Sequence, residues 1–262
     1  MFPYGFYGQI VMNIYGFDKT SLLNYPGHVA ATVFTGGCNM RCPFCHNGEL
    51  VINPPADMRI SEDEVMAHLN KRRNVLTGLC ITGGEPTLQP DLADFIAKVR
   101  ALGYKIKLDT NGLKPDTVYE LLNSGLLDYV AMDIKAGRSN YLRAAGIPCR
   151  TDDVTDNEII GNVSESVSML LKSGIEFELR TTVVRGIHTE ADFVDIRDWL
   201  AEIIDKAGNG SRIVHYYLQS YVYRDTVLDP SGDYDSFTKE ELEHFAEILK
   251  PVADNVSLRG ID

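Results

Sequence analysis

The sequence predicts an α/β fold, a partial and open (βα)6 barrel, on three observations. Short apolar runs rich in strand-forming residues alternate six times with amphipathic helical runs, without a break in composition. Parallel strands joined by helical crossovers must be covered on their faces, which leaves a doubly wound sheet or a barrel. The doubly wound choice lacks its phosphate-binding fingerprints, since no G-x-G-x-x-G follows the first strand and no G-x-x-x-x-G-K-[ST] occurs anywhere. Six units do not fill an eight-fold barrel, so a partial one fits best.

The strands are expected at residues 29–34, 79–82, 104–108, 129–133, 176–183 and 212–218, each bounded by glycine or polar turns. The first helix opens on the capping-box pattern Ser61-Glu62-Asp63-Glu64 and the last on Thr238-Lys239-Glu240-Glu241. The second, at 91–102, sets Leu92, Phe95, Ile96, Val99 and Leu102 on one stripe and ends at Gly103. Further helices are expected at 115–124, 158–173 and 189–206. The longest connections, 36–60 and 136–157, both leave C-terminal strand ends, where barrels place their active sites. A single domain over residues 1–262 is expected, since α/β barrels of this size form one core.

The composition is that of an ordinary globular protein, with 44% hydrophobic and 24% charged residues. Asp and Glu total 37 against 25 Lys and Arg, and the net charge of −12 argues against a surface that tracks nucleic acid or anionic lipid. No apolar run is long enough to span a membrane, and no Lys or Arg precedes Lys19, so a cytoplasmic protein is expected.

Of five cysteines, three crowd into the run Gly37-Cys38-Asn39-Met40-Arg41-Cys42-Pro43-Phe44-Cys45-His46-Asn47. A C-x3-C-x2-C loop can hold three corners of an iron–sulfur cluster and leave one iron open to substrate. A structural zinc on Cys38, Cys42, Cys45 and His46 is the plainer alternative, but zinc sites usually take a second ligand pair, which is missing here. Cys80, on an apolar strand, and Cys149, in a long loop, are not expected to be ligands.

The second strand ends in Thr82-Gly83-Gly84-Glu85-Pro86, where two glycines would let backbone approach a ligand and Glu85 could accept from an ammonium group. A turn alone would also explain it. The third ends in Asp109-Thr110-Asn111-Gly112 and the fourth in Asp133-Ile134-Lys135; the two aspartates could ligate a cation, or one could pair with Lys135. On the fifth strand alternation puts Glu178, Arg180 and Thr182 on one face, which is either a polar barrel interior or a solvated edge. The sixth ends in Leu218-Gln219-Ser220-Tyr221, and polar residues thus converge on one end of the sheet.

Through the cysteine loop and the Gly83-Gly84-Glu85 turn together, the chain resembles the radical S-adenosylmethionine (SAM) enzymes, whose domain is a TIM-like partial barrel. The residues from Asn39 to Asn47, Leu108-Asp109-Thr110-Asn111-Gly112 and Asp133-Ile134-Lys135 are similar to those of the glycyl-radical-enzyme activating enzymes. Ser21-Leu22-Leu23-Asn24-Tyr25-Pro26-Gly27 and Glu178-Leu179-Arg180-Thr181-Thr182 resemble most the anaerobic ribonucleoside-triphosphate reductase activating proteins. The resemblance runs from about residue 16 to residue 184 and is less distinct in the C-terminal third.

It implies a [4Fe-4S] cluster on Cys38, Cys42 and Cys45, with SAM chelating the unique iron. Gly83, Gly84 and Glu85 would line the amino-group side, and Phe44 and His46 the adenosyl side. Asp109, Thr110, Asn111, Asp133, Ile134, Lys135, Arg180 and Gln219 would complete the SAM contacts, and Asp109, Thr110 and Asp133 would hold a monovalent cation. Gln219 stands near where the pyruvate formate-lyase activators carry a histidine, and no extra ferredoxin-like cysteine cluster is present. Also implied are reductive cleavage of SAM, hydrogen abstraction from a glycine of a partner glycyl radical enzyme, and a flavodoxin or ferredoxin donor. An acidic donor would need a local basic patch on this acidic chain, which folding could make from Arg41, Arg72 and Arg73. Activation of pyruvate formate-lyase, modification of another peptide or small molecule, and a zinc-stabilised binding module are the other readings.

Overall fold

The computed structural model describes residues 12–52, 54, 56–147, 156–208 and 210–261, so Cys149 and the rest of the stretch 148–155 in the second long connection lie outside the described residues. A single sheet of eight strands follows chain order. Seven strands are parallel: β2 Ala30–Thr35, β3 Gly78–Gly83, β4 Lys105–Thr110, β5 Tyr129–Asp133, β6 Glu176–Val183, β7 Ile213–Ser220 and β8 Ala253–Arg259. The first, β1 Ile14–Ser21, is antiparallel to β2. The helices are α1 Gly48–Val51, α2 Glu62–Lys71, α3 Leu92–Ala101, α4 Pro115–Asn123, α5 Tyr141–Ala145, α6 Asp156–Ser173, α7 Glu190–Ala207 and α8 Lys239–Leu249. The six βα units are β2 to β7 with their crossovers, and the barrel stays open because β1 and β8 end the sheet.

Those two edges are what the sequence did not announce. A strand with one neighbour buries little, so β1 (IYGFDKTS) and β8 (ADNVSLR) carry polar residues where an interior strand would be apolar. The marked helix starts form largely as expected. Ser61 Oγ accepts from the Glu64 amide at 3.2 Å, and Thr238 and Glu241 complete a reciprocal box. The α3 stripe of Leu92, Phe95, Ile96 and Val99 is buried against the sheet.

The period of two in the strands sorts side chains onto two faces. Ile106, Leu108, Val130, Met132 and Leu179 enter the apolar core with the helices. On the other face Lys107, Asp109, Glu178 and Arg180 line the barrel lumen, which settles the β6 alternation as inward; Glu178 is only 1% exposed. The lower end of the lumen is closed by Tyr25, Ala30, Tyr129 and Ala131, the two rings 5.9 Å apart. Tyr129 Oη donates to Glu178 Oε2 at 2.8 Å, and Arg259 donates twice to the same carboxylate, at 2.8 and 2.9 Å.

One expectation fails on topology. Arg72 and Arg73 follow α2 directly before β3 begins, at the N-terminal end of the strands, whereas Arg41 lies in the loop beyond the C-terminal end of β2. The length of the strands separates them, so they do not form one patch.

Candidate active site

The C-terminal strand ends converge on a cavity of about 190 Å³. Cys38, Cys42 and Cys45 reach it from the loop after β2, and backbone bonds from several directions hold that loop. The Arg41 amide donates to Ala145 O at 2.9 Å, the Glu85 amide to Gly37 O at 2.8 Å, and the Leu228 and Asp229 amides to Cys45 O and Pro43 O at 3.0 and 2.9 Å. Arg41 Nη1 donates to Cys38 O at 2.5 Å and Met40 O at 2.8 Å, so this cation is engaged in shaping the loop. Burial pushes all three thiols up, that of Cys42 to about 12. A thiol that takes up metal is deprotonated outright, so loading iron here releases protons.

The Gly83-Gly84 turn serves chain packing. A Cβ on Gly84 would stand 2.0 Å from the Gly37 carbonyl oxygen, and one on Gly83, where φ is +124°, would stand 2.2 Å from the Thr35 amide nitrogen. The glycines thus let the β3 turn lie directly on the cysteine loop, and Asn47 Nδ2 adds a bond to Gly83 O at 3.2 Å. Glu85 also differs from the expectation of a carboxylate open to an ammonium group. Its oxygens accept from the Thr87 amide (3.1 Å), Thr87 Oγ1 (2.5 Å), Thr110 Oγ1 (2.8 Å) and the Asn111 amide (2.7 Å), riveting the turn to the end of β4. Burial pushes its pKa up against these donors.

Asp109, Asp133, Lys135 and Arg180 form a charged wall. Lys107 and Arg180 engage Asp109, while Arg180 and Lys135 engage Asp133, the last at 2.7 Å. Burial alone would raise both carboxyls, but Arg180 with the two lysines holds them below the usual range, and Lys135 is raised in turn by Asp133 despite its burial. At the residues expected to hold a cation, Asp109, Thr110 and Asp133, both carboxylates are bonded by cationic side chains, and the Thr110 hydroxyl donates to Glu85.

Of the other expected residues, Phe44, His46 and Asn111 line this cavity, but Ile134 and Gln219 do not. Ile134 is fully buried in the apolar core, and Gln219 lines a second cavity of about 480 Å³ with Asn24, Lys107, Glu178 and Arg259. Asp109 and Arg180 border both cavities. The sequence reading assigned no role to Met40, Asn47, Val51, Thr82 or Thr182, which also line the first. Thr182 was within reach, since it alternates with Arg180; Val51 carried no signal. Cys80, expected on an apolar face, instead turns its Sγ to the lumen 3.8 Å from Asp109 Oδ1 and Lys107 Nζ.

The model of the radical SAM superfamily matches residues 32–200, and the chain belongs to that superfamily. A protein of Methanocaldococcus jannaschii, provisionally described as a glycyl-radical enzyme activating enzyme, is 29% identical over 253 residues, covering 94% of this chain and 95% of its own. The GTP 3',8-cyclase of Helicobacter pylori is 26% identical over 195 residues, 70% of this chain but only 52% of the cyclase. Among solved structures, Streptococcus suis SuiB bound to S-adenosylmethionine superposes with a TM-score of 0.59 at 16% identity, covering 86% of this chain and 48% of SuiB. SuiB bound to its precursor peptide SuiA gives a TM-score of 0.60. The chain spans about half the length of these last two proteins, and the likeness to SuiB concerns the fold.

Superfamily membership implies a [4Fe-4S] cluster and SAM, and this chain's residues fit both. The cavity presents three cysteines from one loop and a buried His46 Nε2 without a hydrogen-bond partner, with the His46 ring stacked on Tyr221 at 5.4 Å. Among the described residues no group of three or more His, Cys, Asp or Glu side chains is arranged to hold a single metal ion. Among the described residues no helix is long and apolar enough to cross a membrane.

Proposed function

We propose that this chain activates a glycyl radical enzyme by reductive cleavage of SAM, with Cys38, Cys42 and Cys45 holding three irons of the cluster. The observation that carries the activase reading is the match to the Methanocaldococcus jannaschii protein over nearly the full length of both chains. When bound, the cluster supplies one electron to the SAM sulfonium. The chain's own groups bind and orient the cosubstrate. Lys135 and Arg180 present positive charge to the SAM carboxylate, while Phe44 and His46 offer a ring surface and an unpaired nitrogen to the adenosyl moiety. Burial lowers the His46 pKa, which favours the neutral imidazole. The open side of the barrel receives the glycine-bearing segment, and holding it against the adenosyl carbon is a matter of positioning.

The finer reading, anaerobic ribonucleotide reductase as the partner and flavodoxin or ferredoxin as the donor, rests on the likeness of residues 21–27 and 178–182 to that group of activators. The test is anaerobic iron, sulfide and 5′-deoxyadenosine analysis of the wild type beside a Cys38/Cys42/Cys45 triple-alanine variant, followed by electron paramagnetic resonance with a candidate reductase. About four irons per chain, cysteine-dependent cleavage and a new glycyl radical are expected. Zinc in place of iron would overturn the enzyme reading. Cleavage without a radical on any glycyl radical enzyme would favour a small-molecule or other peptide substrate.

A further inference from the structure

Where the activator resemblance implies a monovalent cation, the lumen already sets positive side chains against both candidate carboxylates. Lys107, Arg180 and Lys135 face Asp109 and Asp133, three cations on two carboxylates, and Arg259 takes Glu178. Lys107 is 3% exposed, and its ammonium meets only Asp109 and, at 3.8 Å, Cys80 Sγ among the described residues. A metal ion on Asp109 would take that carboxylate from Lys107 and then stand beside a buried, uncompensated ammonium. Like charges in a poorly screened interior repel strongly, so ion and ammonium exclude one another.

We propose that Lys107 replaces the monovalent cation: its tethered ammonium neutralises and fixes Asp109, so that SAM binds here without an alkali-metal ion. Lys107 is a positioning residue that acts through Asp109, which in turn holds Arg180 toward the cavity. A carboxylate with one permanent cation on each side cannot swing away when SAM arrives. Two aspartates paired with Lys107, Arg180 and Lys135 also suit the anionic end of SAM better than a bare pair of aspartates would.

This inference rests on the SAM reading, and two measurements keep the fates of the two apart. The first is the SAM dissociation constant of the reconstituted, unreduced enzyme in K+, Na+ or tetramethylammonium as sole cation. Wild type should vary by less than about twofold between salts, and Lys107→Met should bind about tenfold more weakly in tetramethylammonium and recover in K+, the size of an ordinary coupling between two ligands. A loss of structure would not be rescued by K+. The second is thallium NMR of wild type titrated with Tl+, with and without SAM, which requires neither turnover nor a folded variant. No saturable, K+-displaceable signal is expected. Such a signal, or SAM binding by wild type that tightens with K+, would overturn the role of Lys107 and leave the SAM reading intact. A salt-independent loss of SAM binding in folded Lys107→Met would overturn it as well. Failure to bind SAM in every salt would sink the SAM reading, with the Tl+ titration still deciding on the cation.

Discussion

Leu108 and Asp109 are neighbours in β4 and serve opposite sides of one sheet. Leu108 is fully buried among apolar side chains from the helices, while Asp109 sits in the lumen between Lys107 and Arg180. On the outer face, stability comes from filling volume, and one aliphatic group can stand for another of similar size. On the inner face each charge is tolerable only because a specific partner, on the same strand or one or two strands away, neutralises it. The inner face therefore holds fixed charges where a charged cosubstrate can use them, and it leaves little freedom for substitution.

Single substitutions on the two faces should be comparably harmful, but only one should be repairable. Asp109→Leu leaves Lys107 buried without its carboxylate and should cost about 3–5 kcal/mol of unfolding free energy, read from urea denaturation. Adding Lys107→Met should return most of that loss, because replacing a whole buried pair with apolar groups is often neutral. Leu108→Ala should cost about 2–5 kcal/mol, with no rescue by Lys107→Met. Equal behaviour of both sites toward the second substitution would break the comparison.

Acid should weaken the inner face and spare the outer one. Asp109 and Asp133 titrate lower in the folded chain than the usual unfolded value of about 3.9, because Arg180 with Lys107 and Lys135 outweighs the effect of burial. Their contribution is present above about pH 4 and is lost as pH falls through the lower folded values, since the unfolded chain then binds more protons. The urea midpoint should fall in that window, and less steeply for Asp133→Asn than for wild type. The smallest effect is expected at the outer layer's edge, where Thr238→Ala removes the α8 cap for about 1 kcal/mol and leaves SAM binding unchanged.

Much of this was legible in the chain, and for a local reason. Strand and helix periods, the α3 stripe, the Thr238 box and the C-x3-C-x2-C spacing are written within short windows, so the six βα units and the cysteine loop follow from sequence alone. Alternation along β6 also fixed that Glu178 and Arg180 share a face, but whether that face was lumen or solvent depended on strands elsewhere.

What only the tertiary structure decided is pairing across strands. That Lys107 claims Asp109, that Arg259 from an unannounced edge strand claims Glu178, and that Glu85 is spent on Thr87, Thr110 and Asn111 all depend on register between distant segments. The placing of Gln219 in the second cavity and of Arg72 and Arg73 at the far strand ends depends on it too. A sequence states which residues carry charge or bond donors. Which of them remain free for a ligand is set by the neighbours that the fold brings within a few ångströms, because a buried polar group binds the partner it can reach.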